Sequence, residues 1–442
     1  MKTQCNYNKD VLAYLQNELS PDEARQFKEH LDACSDCQRV LADYQRLLVR
    51  LRRVSPESIR GRGNLAERVL EEVNRRSIRQ PRYLLRTIAA AAAVLVILGI
   101  GWWVIYHHSP ATTLYPTGTD ETISKALDWL ARNQDESGAW PVEKWGGQKQ
   151  YEVALTGLSV MALAGSESDD TRKYLTNIRK GIKFIINQQS VDGQFGPRFS
   201  GTLYNHGIAT ACLLEVYALF KDKELKPPIR EALRYLESTQ TPNGGWGYLL
   251  ASEPPNSAVS FWALQSLLLA KGLGFAGSER NESKGLDRSL ERGFQWLVNI
   301  SDESGRLGYR TIGEFPYGEE TLSAMAVFCY TYGGARYLAE KEKYQNLLKG
   351  LSQKAALNNQ TDYYRFYFMA YLEHPDLAEW HKRLAINLVK SQSRETALAG
   401  SWEVCDQWGK VGGRVYTTAL AVLTLEISTR APRLKNWLSQ TD

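Results

Sequence analysis

The pattern of apolar and polar positions divides the 442-residue chain into short amphipathic helices, one uncharged stretch and a series of helical repeats. Near the N-terminus, apolar residues recur at helical spacing in three segments, 11–19, 24–31 and 40–51. Ser20, Pro21 and Glu23 are typical of a helix start, because they supply a capping side chain, a first-turn proline and a capping-box acid. The pattern predicts an all-α protein that begins with a three- or four-helix module at residues 1–53.

An uncharged segment follows at residues 87–106, and about 20 apolar residues suffice to cross a bilayer. Arginines crowd the preceding amphipathic and basic segment at 54–86, whereas neither Lys nor Arg occurs between Tyr106 and Lys125. This asymmetry predicts a single transmembrane helix with the N-terminus in the cytoplasm and the C-terminal part outside. A buried core helix is the alternative. A linker rich in Pro, Thr and Gly spans 107–122.

Residues 123–442 repeat one pattern, in which an amphipathic helix, a turn with glycine and a more apolar helix follow one another. The clearest turn glycines are Gly138, Gly193, Gly244 and Gly305, and two further copies follow with more divergent turns. Small residues such as Gly157 in the second helices favour close helix packing. The repeats predict six helical hairpins in two concentric rings, an α6/α6 toroid with the second helices inside.

Charge and cysteines refine this organisation. The net charge of +5 lies wholly within residues 1–86, so the toroid shows no bulk attraction to nucleic acid and we expect no direct nucleic-acid contact. Three cysteines precede the predicted span and three follow it. Cys212, Cys329 and Cys405 are scattered and odd in number, which predicts buried thiols more than a disulfide framework.

Three soft metal ligands lie within eight residues of the N-terminal module. His30 and Cys34 share a helix face, and Cys34 and Cys37 have the spacing at which two thiolates hold one tetrahedral ion. Cys5 is the only good nearby candidate for a fourth ligand. The cluster predicts a structural Zn²⁺ site, while a thiol–disulfide switch or two reduced thiols beside a surface histidine are the alternatives.

The same residues carry a resemblance. Residues 3–50, with "LQNELSPDE" between Cys5 and the His30–Cys34–Cys37 group, resemble the zinc-binding anti-sigma factor domain of bacteria. The resemblance implies that these four residues bind zinc, that the module clasps an extracytoplasmic-function sigma factor, and that the chain is a bacterial inner-membrane protein. An amphipathic helix at 63–76 would complete the clasp, or else serve as a solvated tether.

The repeats also carry a resemblance. The sequences "KALDWLARNQDESGAW", "KGIKFIINQQSVDGQF" and "EALRYLESTQTPNGGW" resemble the QW motif of terpene cyclases, within the squalene–hopene cyclase and prenyltransferase superfamily. Gln134, Gln189 and Gln240 are interpreted as structural residues that satisfy backbone groups of the next helix.

The catalytic sets of that superfamily are not found. The closest string to D-x-D-D is "ESDD" at 167–170, and Cys405 and Asp406 lack a histidine at the start of the last inner helix. We therefore expect no catalytic residues and a toroid that is not an enzyme.

Polar and aromatic residues near the starts of the inner helices predict a pocket for an unknown apolar ligand or protein, with core packing as the alternative. These residues are Tyr204, His206, Trp262, Glu319, Glu320, Tyr364, Arg365, Arg414 and Tyr416. The leading hypothesis is a membrane-anchored regulator with an exported, ligand-sensing toroid. A tethered cyclase- or prenyltransferase-like enzyme acting on an apolar substrate and a non-catalytic scaffold are the alternatives.

Overall fold

The computed structural model describes a short N-terminal segment and most of the repeat region. The described residues are 21–34, 38, 116–165, 172–248, 254–275, 280–316, 318–333, 347, 349–351, 362–372 and 377–438. The chain divides into two compact units, Met1–Ser109 and Pro110–Asp442. Within the described ranges no helix has both the length and the apolar character needed to cross a membrane. The predicted span at 87–106 and the segment at 54–86 lie outside those ranges.

The N-terminal unit contributes one described helix, α1 (Pro21–Ala33), which begins at Pro21 as predicted. Phe27 is buried, and its neighbours Gln26 and Lys28 are exposed. This alternation agrees with an amphipathic helix.

The second unit is entirely helical apart from turns and isolated bridges, within the residues that the structure describes. Its α-helices are α2 (Thr119–Arg132), α3 (Glu152–Gly165), α4 (Leu175–Asn187), α5 (Thr202–Phe220), α6 (Lys226–Ser238), α7 (Ser257–Gly272), α8 (Arg280–Asn299), α9 (Glu319–Tyr332), α10 (Tyr363–Ala370), α11 (Ala378–Ser391), α12 (Gly409–Leu425) and α13 (Ile427–Leu438). Short 3₁₀ turns lie at Val142–Trp145, Lys149–Tyr151 and Lys223–Leu225. The first helix of this unit begins earlier than the predicted boundary at residue 123.

Helices α3, α5, α7, α9, α10 and α12 form the inner ring. Each packs on the next, and α12 packs back on α3, so the ring closes. Every residue of α3 is buried, which explains why its sequence is apolar all round. A Cβ on Gly207 would lie 2.8 Å from Cβ of Trp262, so α5 and α7 are in close contact there. The toroid with the second helices inside is therefore confirmed.

A glutamine recurs at the same position in several repeats and joins each turn to the next outer helix by hydrogen bonds. Gln134 Nε2 donates to the carbonyl oxygens of Gly138 (2.8 Å) and Asn177 (2.9 Å). Gln189 and Gln240 do the same in their own turns and to Pro228 and Ser289. In the sixth copy Gln392 donates to Gly400 and to Thr122 of α2, which closes the ring. The structural interpretation of these residues is confirmed.

Helix α13 crosses the end of the toroid where the inner helices finish. Arg430 of α13 forms a bidentate pair with Glu215 of α5, at 2.6 and 2.9 Å, and both side chains are 4 % exposed. Arg433 donates to the carbonyl of Gly165, the last residue of α3. This end of the ring is therefore filled by packed and charged groups, and any cavity must lie at the other end.

Candidate functional site

A cavity of about 300 Å³ lies inside the ring near the starts of the inner helices. Its lower wall is aliphatic and comes from α3 and α5, through Leu155, Leu158 and Ile208. Aromatic side chains form most of the rest, and they are Tyr151, Tyr204, Tyr248, Tyr364, Trp408 and Tyr416. All inner helices run in the same direction because each follows an outer helix, so residues of their first turns meet at this one end. The arrangement suits an apolar ligand with few polar groups.

The tyrosine hydroxyl groups at the cavity form hydrogen bonds with neighbouring aromatic side chains. Trp262 Nε1 donates to Tyr364 Oη (2.9 Å), and the hydroxyls of Tyr248 and Tyr309 form a hydrogen bond. Burial raises the pKa of Tyr204 and of Tyr364 well above the ordinary tyrosine value. These phenols therefore remain uncharged and present polarisable faces to the cavity.

One carboxyl group stands behind this aromatic wall. Asp406 Oδ2 accepts hydrogen bonds from the hydroxyl of Tyr416 (3.1 Å) and the backbone N–H of Tyr363 (3.0 Å). Burial, together with the charge of Asp362, raises the pKa of Asp406 to about 6. About a tenth of this carboxyl group is therefore protonated at pH 7 and about half at pH 6. It is joined to two cavity-lining residues, since its Oδ1 also accepts a hydrogen bond from the N–H of Trp408 (3.1 Å).

Of the residues predicted for the pocket, Tyr204, Tyr364 and Tyr416 line the cavity. Trp262 lies behind Tyr364 and is fully buried. The other predicted residues lie outside the cavity lining.

Four of the predicted pocket residues are charged and lie around the starts of the inner helices. Glu319 pairs with Arg306 at 3.2 Å, and Arg414 pairs with Glu403 at 3.0 Å. Glu320 lies in the first turn of α9, and Arg365 packs over the ring of Phe366. None of these four is among the cavity-lining residues within the described part of the chain.

His206 lies between the inner and outer rings rather than in the cavity. The N–H of Phe195 donates to His206 Nδ1 (3.1 Å), so Nε2 carries the proton and donates to the carbonyl of Ala232 (3.0 Å). Burial lowers the pKa of His206 to about 4. Both ring nitrogens are therefore occupied by backbone groups, and the location of His206 differs from the predicted pocket.

The zinc candidates fall only partly within the described residues. His30 lies in the last turn of α1, and Cys34 is the first residue after that helix, so the shared helix face of the two stays a prediction. Cys5 and Cys37 lie outside the described ranges, as does the "ESDD" string. The described residues contain no group of three or more His, Cys, Asp or Glu placed to hold a metal ion. An imidazole and a thiolate four residues apart are ligand types that zinc prefers, so the chemistry of this pair fits the ion.

The cysteines of the second unit differ from one another. Cys212 and Cys329 are buried, as predicted, and burial raises the pKa of each thiol well above its ordinary value. Cys405 is exposed, which corrects the prediction for this residue. It lies in the loop before α12, and a loop at the rim of the ring is not covered by a second layer of helices.

Sequence reasoning missed several cavity residues. Tyr151 and Tyr248 lie in turns, and Trp408 precedes α12, so helix periodicity gives no signal for any of them. In the sequence, Asp406 stands out only beside Cys405, as part of an incomplete metal-ligand set. Its isolation from Lys and Arg in the sequence loop "EVCDQW" is the signal that could have marked it as a carboxyl group with a raised pKa.

Comparison with known proteins agrees with this two-part organisation. A zinc-finger family model matches residues 10–38, which include His30, Cys34 and Cys37 but not Cys5. The family model of the squalene–hopene cyclase C-terminal domain matches residues 152–312. The resemblance to both families is confirmed. The zinc-finger module and the cyclase-like toroid therefore occur in one chain.

Individual relatives match the cyclase-like toroid over part of their length. A squalene–hopene cyclase of Zymomonas mobilis is 26% identical over 228 residues, covering 45% of this chain and 32% of that protein. A lanosterol synthase of Aspergillus fumigatus is 30% identical over 132 residues, covering 28% of this chain and 16% of that protein. The chain thus spans about a third or less of the length of these relatives.

Solved structures support the fold alone. An α-1,6-mannanase of Salegentibacter sp. has a TM-score of 0.50 at 12% identity, covering 70% of this chain and 99% of that chain.

The relatives of the cyclase-like toroid named above are enzymes. They overturn the expectation, drawn from the missing D-x-D-D and Asp/Cys/His sets, that the toroid is not an enzyme.

Proposed function

We propose that the protein has two functions. Its toroid is an enzyme domain that acts on a neutral isoprenoid, and its N-terminal module binds zinc and a sigma factor at the membrane to which the chain is tethered. The observation that carries the enzymatic part is the aromatic cavity with the partly protonated Asp406 behind its wall. The relatives named as squalene–hopene cyclase and lanosterol synthase support the choice of substrate class.

The cavity wall argues for an uncharged substrate. Within the described residues its lining consists of apolar, tyrosine, tryptophan and serine side chains, with neither lysine nor arginine. A diphosphate group would leave several negative charges without a partner in an apolar site, which is costly. A volume of about 300 Å³ is at the low end for small-molecule sites, and so a short isoprenoid alcohol or alkene fits better than a long chain.

Asp406 is proposed as the general acid. In the first step the O–H bond of Tyr416 breaks while a C–H bond forms at one carbon of a substrate double bond, and the Tyr416 oxygen takes the proton of Asp406. This leaves a carbocation in the cavity and a carboxylate at Asp406. The faces of the surrounding tyrosines and Trp408 stabilise such a cation. Loss of a proton from a neighbouring carbon to the carboxylate restores the acid, so the net reaction is an isomerisation or cyclisation.

The regulatory part rests on the N-terminal module. The zinc-finger match supports zinc binding by His30, Cys34 and Cys37, with Cys5 as the proposed fourth ligand, and sigma-factor binding is proposed from the resemblance of this module. Zinc would hold together a module too small to bury a large core, and its residues would present the partner-binding helices. The proposed placement is cytoplasmic for this module and outside the inner membrane for the toroid, from the arginines that precede residues 87–106.

The test uses the full-length protein in detergent. It is incubated at pH 5 to 8 with geraniol and farnesol, and with squalene as a long chain that the cavity is too small to hold, and the products are identified by gas chromatography and mass spectrometry. We expect isomerised or cyclised product from at least one neutral substrate, and a loss of about 100-fold or more in Asp406→Asn, since acid catalysis contributes about 10²–10⁴-fold. The matched control is Asp192→Asn, which removes an exposed carboxyl group outside the cavity.

Two results would contradict the proposal. Product formed equally by the wild type and Asp406→Asn would remove Asp406 from the reaction. Failure of every substrate to bind or react would remove the isoprenoid assignment. For the regulatory part, zinc-loaded protein that retains no sigma factor in a co-expression pull-down would remove that partner.

A further inference from the structure

Helix α12 is broken near its start, beside the cavity. Gly413 has φ 65° and ψ −163°, a conformation outside the helical region, between the turn at 409–412 and the continuous helix from residue 414. A Cβ at Gly413 would lie 2.4 Å from the carbonyl oxygen of Trp145 and 2.5 Å from the nitrogen of Gly147. Only glycine fits this conformation and this space. The break is therefore specified by the sequence and separates two pieces that need not move together.

The short piece forms part of the cavity wall. Residues 408–412, named here the gate segment, contribute Trp408, Val411 and Gly412 to the lining. Trp408 also lines a small adjoining cavity that it shares with Tyr204 and Tyr364. Displacement of this segment would open the main cavity from the side.

The gate segment is attached across the cavity rim mainly through main-chain groups. The N–H of Gln148 donates to the carbonyl of Val411 at 2.8 Å, and Gly147 and Gly412 form an isolated antiparallel bridge. Neither glycine has a side chain to interlock. By contrast, the part of α12 after Gly413 is buried almost throughout between α3 and α10. The wall is thus weakest where the first and last hairpins meet.

We infer that the gate segment is a hinged gate to the apolar cavity, which swings about Gly413 and is latched by the hydrogen bond from Gln148 to Val411. Ligands enter between residues 146–148 and 408–412, and the closed position seals the cavity around them. The gate serves the cavity of the proposed function, but its test requires no turnover, so either idea can fail without the other.

The latch is tested with Gln148→Pro, which removes the donating N–H, against Gln148→Ala, which keeps it and removes only the side chain. Gln148 has φ −104°, about 25° beyond the range of proline, so the turn must adjust slightly in this variant, and the preceding glycine gives it the freedom to do so. The probe is the neutral dye N-phenyl-1-naphthylamine, mixed with full-length protein in a stopped-flow fluorimeter. Loss of one hydrogen bond shifts an open–closed equilibrium about 2- to 12-fold.

A gate predicts that Gln148→Pro raises the association and dissociation rates together, about 2- to 12-fold, with the dissociation constant changed less than about twofold. Of the bonds to the gate segment, Gln148→Ala loses only the weaker one, from the side-chain Nε2 to the carbonyl of Lys410 (3.4 Å), so its rates should rise less than those of Gln148→Pro. A variant that changes affinity while its association rate stays constant would show that residues 146–148 only shape the cavity, and would overturn the gate.

Amide hydrogen exchange on the wild-type protein tests the hinge at Gly413 without a variant or a ligand. The amides of Val411 and Gly412 donate to Trp408 within the gate segment, whereas those of residues 417–425 lie in the continuous helix. We expect the first set to exchange at least about 100-fold faster than the second, because local opening requires less free energy than global unfolding. Equal protection on both sides of Gly413 would overturn the hinge.

Discussion

The buried carboxyl group of Glu426 should make the toroid less stable as the pH rises. Glu426 follows the last residue of α12 and is 3 % exposed, and neither of its carboxyl oxygens has a hydrogen-bond partner among the described residues. Arg430 and Arg433 of α13 and Glu215 of α5 act on it electrostatically. Burial outweighs the two arginines and raises the pKa of Glu426 to about 8, from an ordinary value of 4.5.

The sign and size of the effect follow from proton linkage. Because the folded pKa is raised, the folded state binds a proton more tightly than the unfolded chain between pH 4.5 and 8, so stability falls across this window as pH rises. Each unit of pKa difference corresponds to about 1.4 kcal/mol, which gives a penalty of about 3 kcal/mol at pH 7 and about 4–5 kcal/mol above pH 8. Below pH 4.5 the penalty disappears.

Glu426→Gln removes the ionisable group at nearly constant size. We expect the variant and the wild type to differ little in unfolding free energy at pH 5, and the variant to be more stable by about 3–5 kcal/mol at pH 8.5. Urea unfolding followed by tryptophan fluorescence and circular dichroism at four pH values measures the difference. The control is Glu395→Gln, which changes the same charge at an exposed position. A variant that parallels the wild type at every pH, or is less stable at pH 8.5, would refute the reasoning.

Three further predictions address other parts of the molecule. Arg430→Met leaves Glu215 buried without its bidentate partner and should lower the unfolding free energy by about 3–5 kcal/mol, with partial recovery when Glu215→Gln is added, as measured by urea unfolding. Gln240→Ala removes two hydrogen bonds that join its turn to the next outer helix; calorimetry should show a loss of about 1–3 kcal/mol, and an unchanged Tm would contradict the structural role of the glutamine. Cys34→Ser should reduce the zinc content of the purified full-length protein by mass spectrometry, while Cys405→Ser should leave one zinc per chain, and equal zinc in both variants would exclude Cys34 as a ligand.

The sequence predicted the ring of hairpins because the signals for that ring are local. Gln134 and Gly138 belong to one turn, and their bond forms within a few residues of chain. The burial of α3 likewise follows from a segment that is mostly apolar on all sides. Local turn chemistry and helix periodicity can be read without knowing what lies on the other side of the ring.

The cavity could be predicted only in part, because its residues come together from distant turns. Tyr204 and His206 both lie near the start of α5. Residues two positions apart in a helix point about 200° away from each other, so Tyr204 faces the cavity and His206 faces the outer ring.

Asp406 acquires its raised pKa from burial and from Asp362, which lies before a different helix. The sequence by itself determined which segments become helices and how they alternate. The tertiary structure decided which side chains meet inside the ring, because facing and burial depend on neighbours far away in the chain.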